Sequence, residues 1–245
     1  MGVSIFYSGQ LRDPAEIPAL VRDLTARAEA AGWPVKAMPQ LIAEGVVADH
    51  GLEGVTLYPH PECEPLRFHF DAEGRFIDHH FYTLLHDREK AVAFVEALQA
   101  NERAKKARRA RDRGVTIEAV AEAAPEEPAE AIADDEHPCR EWCAEACVGV
   151  SVKTQFAGAP THVAACALLR HIKDRYAPDL EVRDDTGFFD HGDLNRLRGE
   201  LAGVDALLGA FRRAVETAAS EGVAPGEALI ARAGQLLFAK KDGAN

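Results

Sequence analysis

Leu66, Phe68 and Phe70 alternate with Arg67, His69 and Asp71, and after Asp71-Ala72-Glu73-Gly74 a second apolar run extends from Phe76 to Tyr82. Alternation at period two reads as a half-buried strand with one wet face. The Asp-to-Gly segment is a hairpin turn with glycine at the position that tolerates positive φ, and Phe76–Tyr82 is the returning strand. Strands joined by so short a turn can only be antiparallel. That feature rules out a purely parallel, doubly wound sheet and predicts an α+β fold.

Helices flank the hairpin. Asp13-Pro14-Ala15-Glu16 is an N-cap, a first-turn proline and a capping-box carboxylate. Ile17, Leu20, Val21, Leu24 and Ala28 follow at helical spacing, and Gly32 closes the element. Burying the four large residues of that stripe is worth roughly 1.5–3 kcal/mol each. Val3, Ile5 and Tyr7 form a strand ahead of it. A helical pattern runs from Asp87 to Asp112. The stretch 113–136 loses large apolar residues, gains Ala, Glu and Pro, and reads as a linker.

Beyond the linker, Val150, Val152, Thr154 and Phe156 alternate as a strand. Pro160-Thr161 opens a helix that Pro178 stops, and Leu180-Glu181-Val182 is a short strand. Asp193 caps a long helix in which Leu194, Leu197, Leu201, Val204, Leu208, Phe211 and Val215 recur at heptad steps. That seam fits either packing on its own sheet or a homodimer. The expected organisation is therefore an N-terminal α+β lobe (1–112), a charged linker with a cysteine-bearing helix (113–147) and a C-terminal α+β lobe (148–245). Each lobe would hold a small, mostly antiparallel sheet. Val3-Ser4-Ile5…Gly9 echoes Val150-Ser151-Val152…Gly158, so the lobes read as a candidate duplication of one β-α-β-β unit.

The chain has 245 residues and a formal net charge of −12, which repels phosphates on average and argues against general nucleic-acid binding. The basic run from Arg103 to Arg113 is followed by an acidic stretch able to neutralise it. No apolar stretch approaches the ~20 residues of a membrane span. Five cysteines and no visible export signal predict a cytoplasmic protein with reduced or metal-bound thiols.

Three constellations could carry chemistry. Asp184, Asp185 and Asp190, crowded into a strand-to-helix loop with His191 and Asp193, are oxygen donors suited to a divalent cation such as Mg²⁺ or Ca²⁺. If that loop shares a sheet edge with the tip after Phe156, His162 joins it as a base and Lys153 and Gln155 become ligand-binding residues. In this reading His162 and Asp185 are the catalytic candidates. His137, Cys139, Cys143 and Cys147 form a second set, suited by donor type to Zn²⁺ or an iron–sulfur cluster. On a regular helix, however, Cys139 and Cys147 would lie about 12 Å apart, so the three thiols would not meet at one ion. His60, Cys63, His69, His79, His80 and His86 are scattered over the hairpin region. If Phe76–Tyr82 is a strand, His79 and His80 face opposite ways and cannot enter one site.

The segment Lys153-Thr154-Gln155-Phe156-Ala157-Gly158, with His162, Leu180-Glu181-Val182, Asp184-Asp185 and Gly192-Asp193, resembles a group of uncharacterised bacterial proteins, as do Ile5–Gly9 and Asp13-Pro14. The resemblance spans both lobes but neither the linker nor the cysteine stretch. It implies a bacterial cytoplasmic protein and carries no activity. Asp185 stands where that group usually has Glu, and His191 is atypical, which counts against a catalytic role for it. The function expected is binding of a partner or small ligand without assigned catalysis. The alternatives are a divalent-metal-dependent hydrolase built on 184–193 and a Zn²⁺ or iron–sulfur module at 137–147.

Overall fold

The computed structural model describes residues 3–112 and 139–223, together with Leu229, Ile230, Arg232, Ala233 and Gln235; for 106–112 it describes the backbone. The predicted linker, His137 and most of the expected last helix lie outside the described residues. The chain is α+β, with two three-stranded antiparallel sheets packed against helices. Among the described residues no helix is long and apolar enough to cross a membrane.

In chain order the elements are β1 (Ser4–Ser8), α1 (Ile17–Ala30), β2 (Val35–Ala37), α2 (Met38–Ala43), β3 (Glu53–Leu57), β4 (Leu66–Phe70), α3 (His79–His86) and α4 (Arg88–Asp112). Then come α5 (Arg140–Ala146), β5 (Val150–Lys153), α6 (Gly158–Arg175), β6 (Glu181–Asp184), α7 (Phe188–His191) and α8 (Leu194–Ser220). The caps read from sequence form as hydrogen bonds. Asp13 accepts from the Ala15 amide, and Asp193 accepts from the amides of Asn195 and Arg196 at the start of α8.

The sheets do not follow the lobe boundaries. β1 is the central strand of β5-β1-β6, with Ile5 opposite both Val152 and Asp184. The second sheet is β2-β3-β4. The two strands whose sequences echo one another, β1 and β5, are thus neighbours in one sheet, not counterparts in two. One apolar core runs through both halves, joining Ile5, Tyr7, Leu20, Leu24, Phe68, Val152, Leu169, Leu197 and Leu201. Tyr7 ties the sheets together. Its ring lies 5.7 Å from that of Phe68, and its hydroxyl donates to the Arg67 carbonyl at 2.9 Å. Ile5, Tyr7, Val150 and Val152 pack inward because apolar residues two apart share a face.

Two local expectations are corrected. The segment after Gly74 makes only isolated bridges, Arg75 to Gln10, Phe76 to Phe70 and Ile77 to Val148, and then turns into α3 because Asp78 caps it, accepting from the His80 amide at 2.9 Å. The polar face of β4 is largely covered, since His69 is buried as fully as Phe68 and Phe70 and only Arg67 keeps partial exposure. Gly187, with φ +68°, is the N-cap of α7. The heptad seam of α8 is split: Leu197 and Leu201 are in the core, while Leu208 and Phe211 are exposed.

Candidate functional site

The loop after β6 and the segment after β5 do lie side by side, and the result is a sealed polar node. Asp184 has no exposed side-chain surface, nor has His162. The Asp184 Oδ1 accepts from the amide and hydroxyl of Thr186, both at 2.9 Å. Its Oδ2 accepts from His162 Nε2 at 3.1 Å and the Phe189 amide at 2.9 Å. A carboxylate only accepts, so Nε2 carries a hydrogen and Nδ1 faces the Thr154 hydroxyl at 2.7 Å. Cys166 completes a buried trio with His162 and Asp184 of the kind that can hold a metal. Here the carboxylate lone pairs are already taken, and burial pushes the Cys166 thiol up to about 12. The node is built to hold the fold.

The other acidic residues do not join it. Asp185 is exposed, and its Oδ2 accepts from the Ser4 amide at 3.0 Å. Asp190 is exposed on α7. Gln155 is buried and accepts from the Val3 amide at 3.0 Å. Lys153 is exposed and lies 3.9 Å from Glu64. Gln155 and Asp185 are therefore the latches that seat the leading end of β1 between β5 and β6. A cation held jointly by Asp184, Asp185 and Asp190 has no common centre here.

Burial alone would raise the Asp184 carboxyl, but the His162 bond and the Thr186 and Phe189 amides outweigh it and hold it down at about 2. Unfolded aspartate binds its proton near pH 3.9, so the stability this group adds, about 2 kcal/mol, is present above that pH and is lost as pH falls through 2. The gap in unfolding free energy between the parent and Asp184→Asn is expected to close between pH 4 and pH 2. A gap of constant size would contradict the assignment.

The cysteine set also separates. Cys139 and Cys143 meet, Sγ to Sγ 2.9 Å, at the start of α5. Cys147 lies in a smaller apolar cluster with Met38, Leu41 and Ile77 and points its thiol at the Ala144 carbonyl.

A different cluster has donors to spare. Among the described residues, the buried side-chain nitrogens and oxygens lacking a hydrogen-bond partner are four histidine ring nitrogens: His50 Nε2, His69 Nδ1 and both nitrogens of His79. Leaving a buried polar group unpaired costs about 1–3 kcal/mol. His79 is 3% exposed. Its ring centroid is 4.0 Å from that of His80 and 5.1 Å from that of His69. Asp78, His79 and His80 each offer a ligand atom within 4.8 Å of the others. The expectation that His79 and His80 diverge fails because they start a helix, where consecutive residues sit about 100° apart rather than on opposite faces. Burial holds His69 and His79 down at about 3, so both rings stay neutral. A metal needs imidazole in that form. His69 uses Nε2 on the Thr56 hydroxyl at 2.8 Å and packs behind His79.

Asp78 also forms part of the wall of an open cleft of about 580 Å³ over the outer face of β5-β1-β6, alongside Phe6, Ser8, Phe81, Ser151 and Arg183. The Arg183 guanidinium lies 4.4 Å above the Phe6 ring. The sequence signal available for this cluster was Asp78 as a helix cap. Compared with protein-family models, curated proteins and solved structures, the chain matches none.

Proposed function

We propose that this chain binds a first-row transition-metal ion at Asp78, His79 and His80, with coordination positions left for a small ligand entering from the cleft. The observation that carries the reading is His79, a buried imidazole with neither nitrogen satisfied, set between a carboxylate and a second imidazole. Two imidazoles and one carboxylate suit Zn²⁺ or Fe²⁺. Zinc bonds of 2.0–2.2 Å bring donor atoms to about 3.4 Å from one another, and the exposed His80 side chain is the one able to swing inward. The reading assigns no catalysis.

Zinc titration of the chelator-treated chain tests it. At a hundredfold excess over Kd, a bound ion adds about 2.7 kcal/mol. That corresponds to roughly 5–10 °C in Tm for a protein of this size. One zinc per chain is expected in the parent and in a Cys139→Ser/Cys143→Ser variant, and none in His79→Ala or His80→Ala. His80 is exposed, so its loss should leave the metal-free Tm unchanged. Zinc retained by His80→Ala but lost from the cysteine variant would place the ion elsewhere and end the proposal.

A further inference from the structure

We propose that Cys139 and Cys143 are a reversible redox pair, oxidised by peroxides to a disulfide within the first turn of α5. The two sulfurs lie 2.9 Å apart, and the Cys143 amide donates to the Cys139 carbonyl at 2.7 Å. Four residues of helix separate the α-carbons by about 6 Å. That falls in the range a disulfide spans, so the α-carbon spacing is no bar to the bond. Cys139 departs from helical geometry, with φ −146° and ψ 27°, which turns its side chain toward the following turn.

The two thiols are not equivalent. Cys143 is fully buried, and burial, then the contact with Cys139, pushes its thiol up to about 12. Cys139 is partly exposed and is the sulfur that meets an oxidant. Its thiolate attacks one oxygen of hydrogen peroxide and breaks the O–O bond, giving Cys139 sulfenic acid and hydroxide, which takes up the proton the thiol released and leaves as one water. The Cys143 sulfur then displaces hydroxide from the sulfenic sulfur, and that hydroxide leaves as a second water with the Cys143 proton. Two electrons pass from the thiol pair to the peroxide, and a dithiol reductant reverses the change by exchange.

Trp142 lies between the two cysteines in sequence and joins two other helices. Its ring meets Phe81 of α3 edge-on at 5.3 Å and stacks on Phe94 of α4 at 5.8 Å. Oxidation therefore stiffens a turn that packs on both α3 and α4, and Trp142 reports on it.

The test uses the full chain with chelator present, which keeps it independent of the zinc reading. After peroxide treatment, unreacted thiols are alkylated and the protein is cut with trypsin without reduction. Cleavage after Arg140 puts Cys139 and Cys143 on different peptides. The expected product is those two peptides joined, with the loss of two alkylatable thiols, in the parent and in Cys147→Ser but not in Cys143→Ser. In a Trp33→Phe background the emission of Trp142 should fall on oxidation and recover with dithiothreitol. Cys139 ending as sulfinic acid, bonding between chains, or reacting no faster than Cys63 would each overturn the proposal.

Discussion

Asp184→Ala is expected to cost about 3–5 kcal/mol in unfolding free energy, because it removes one member of a buried, charge-assisted network and strands the rest. His162 Nε2, the Thr186 amide and hydroxyl, and the Phe189 amide all point at that carboxylate and lose this acceptor when it goes. The Phe189 amide belongs to α7, and Arg170 holds that element from the other side through the Phe188 carbonyl at 2.8 Å. Loss of the carboxylate should therefore loosen α7 before the sheet. Urea denaturation of Asp184→Ala, His162→Ala and the double variant gives the size of the effect. The double variant should be clearly less damaged than the sum of the two singles, since residues in one network are not additive. Additive costs, or a single-variant cost under about 1 kcal/mol, would show that the node is not cooperative.

Gly54→Ala is expected to be more damaging still. Gly54 has φ +139° and pairs with His69 across β3 and β4. A methyl there would sit 2.0 Å from the Phe68 carbonyl oxygen and 2.9 Å from the His69 α-carbon. Both are backbone atoms of a buried strand and cannot step aside as the end of a flexible side chain would. A loss of more than about 4 kcal/mol follows, the range reserved for substitutions that break a specific structural requirement. Gly222→Ala is the matched control. Its φ is +81°, but a methyl would meet nothing within 4 Å. Only the left-handed backbone penalty of about 1–2 kcal/mol applies there. Melting curves of the two variants separate clash from backbone strain, and equal losses would refute the distinction.

Much of the local structure was written plainly in the sequence. Asp13-Pro14 and Asp193 announce helix starts because capping is settled within a few residues. Leu66 to Phe70 announces a strand because its period is two. The error at Phe76–Tyr82 has a physical source. Phe76 and Ile77 do make strand-like bridges, and the run is too short for period alone to distinguish strand from helix. Asp78 was the cue that the helix begins there. Which strands pair was not legible. Nothing local to Ser4–Ser8 says that its neighbours lie at 150–153 and 181–184.

The same gap explains the two site readings. His162, Asp184, Asp185 and Gln155 have the residue types of a reactive centre, and the structure does bring His162 and Asp184 together. What sequence could not show is that the amides of Val3, Ser4, Thr186 and Phe189 already consume their acceptors. Equally, the unused nitrogens of His79 arise only once α3 is packed beside β4. Donor type is visible in a sequence, whereas the supply of partners is a property of packing.

The middle position of β1 between β5 and β6 has a consequence for how the polypeptide is made. During synthesis Ser4–Ser8 leaves the ribosome long before Lys153 and Asp184, its eventual neighbours. At about 5–20 residues per second that interval is on the order of ten seconds or more. Throughout it, Ile5 and Tyr7 have no finished sheet to enter and present an unpaired edge to the cell. Nascent chains stalled before residue 150 should therefore be sticky and chaperone-dependent, and those extended past α6 and β6 should not.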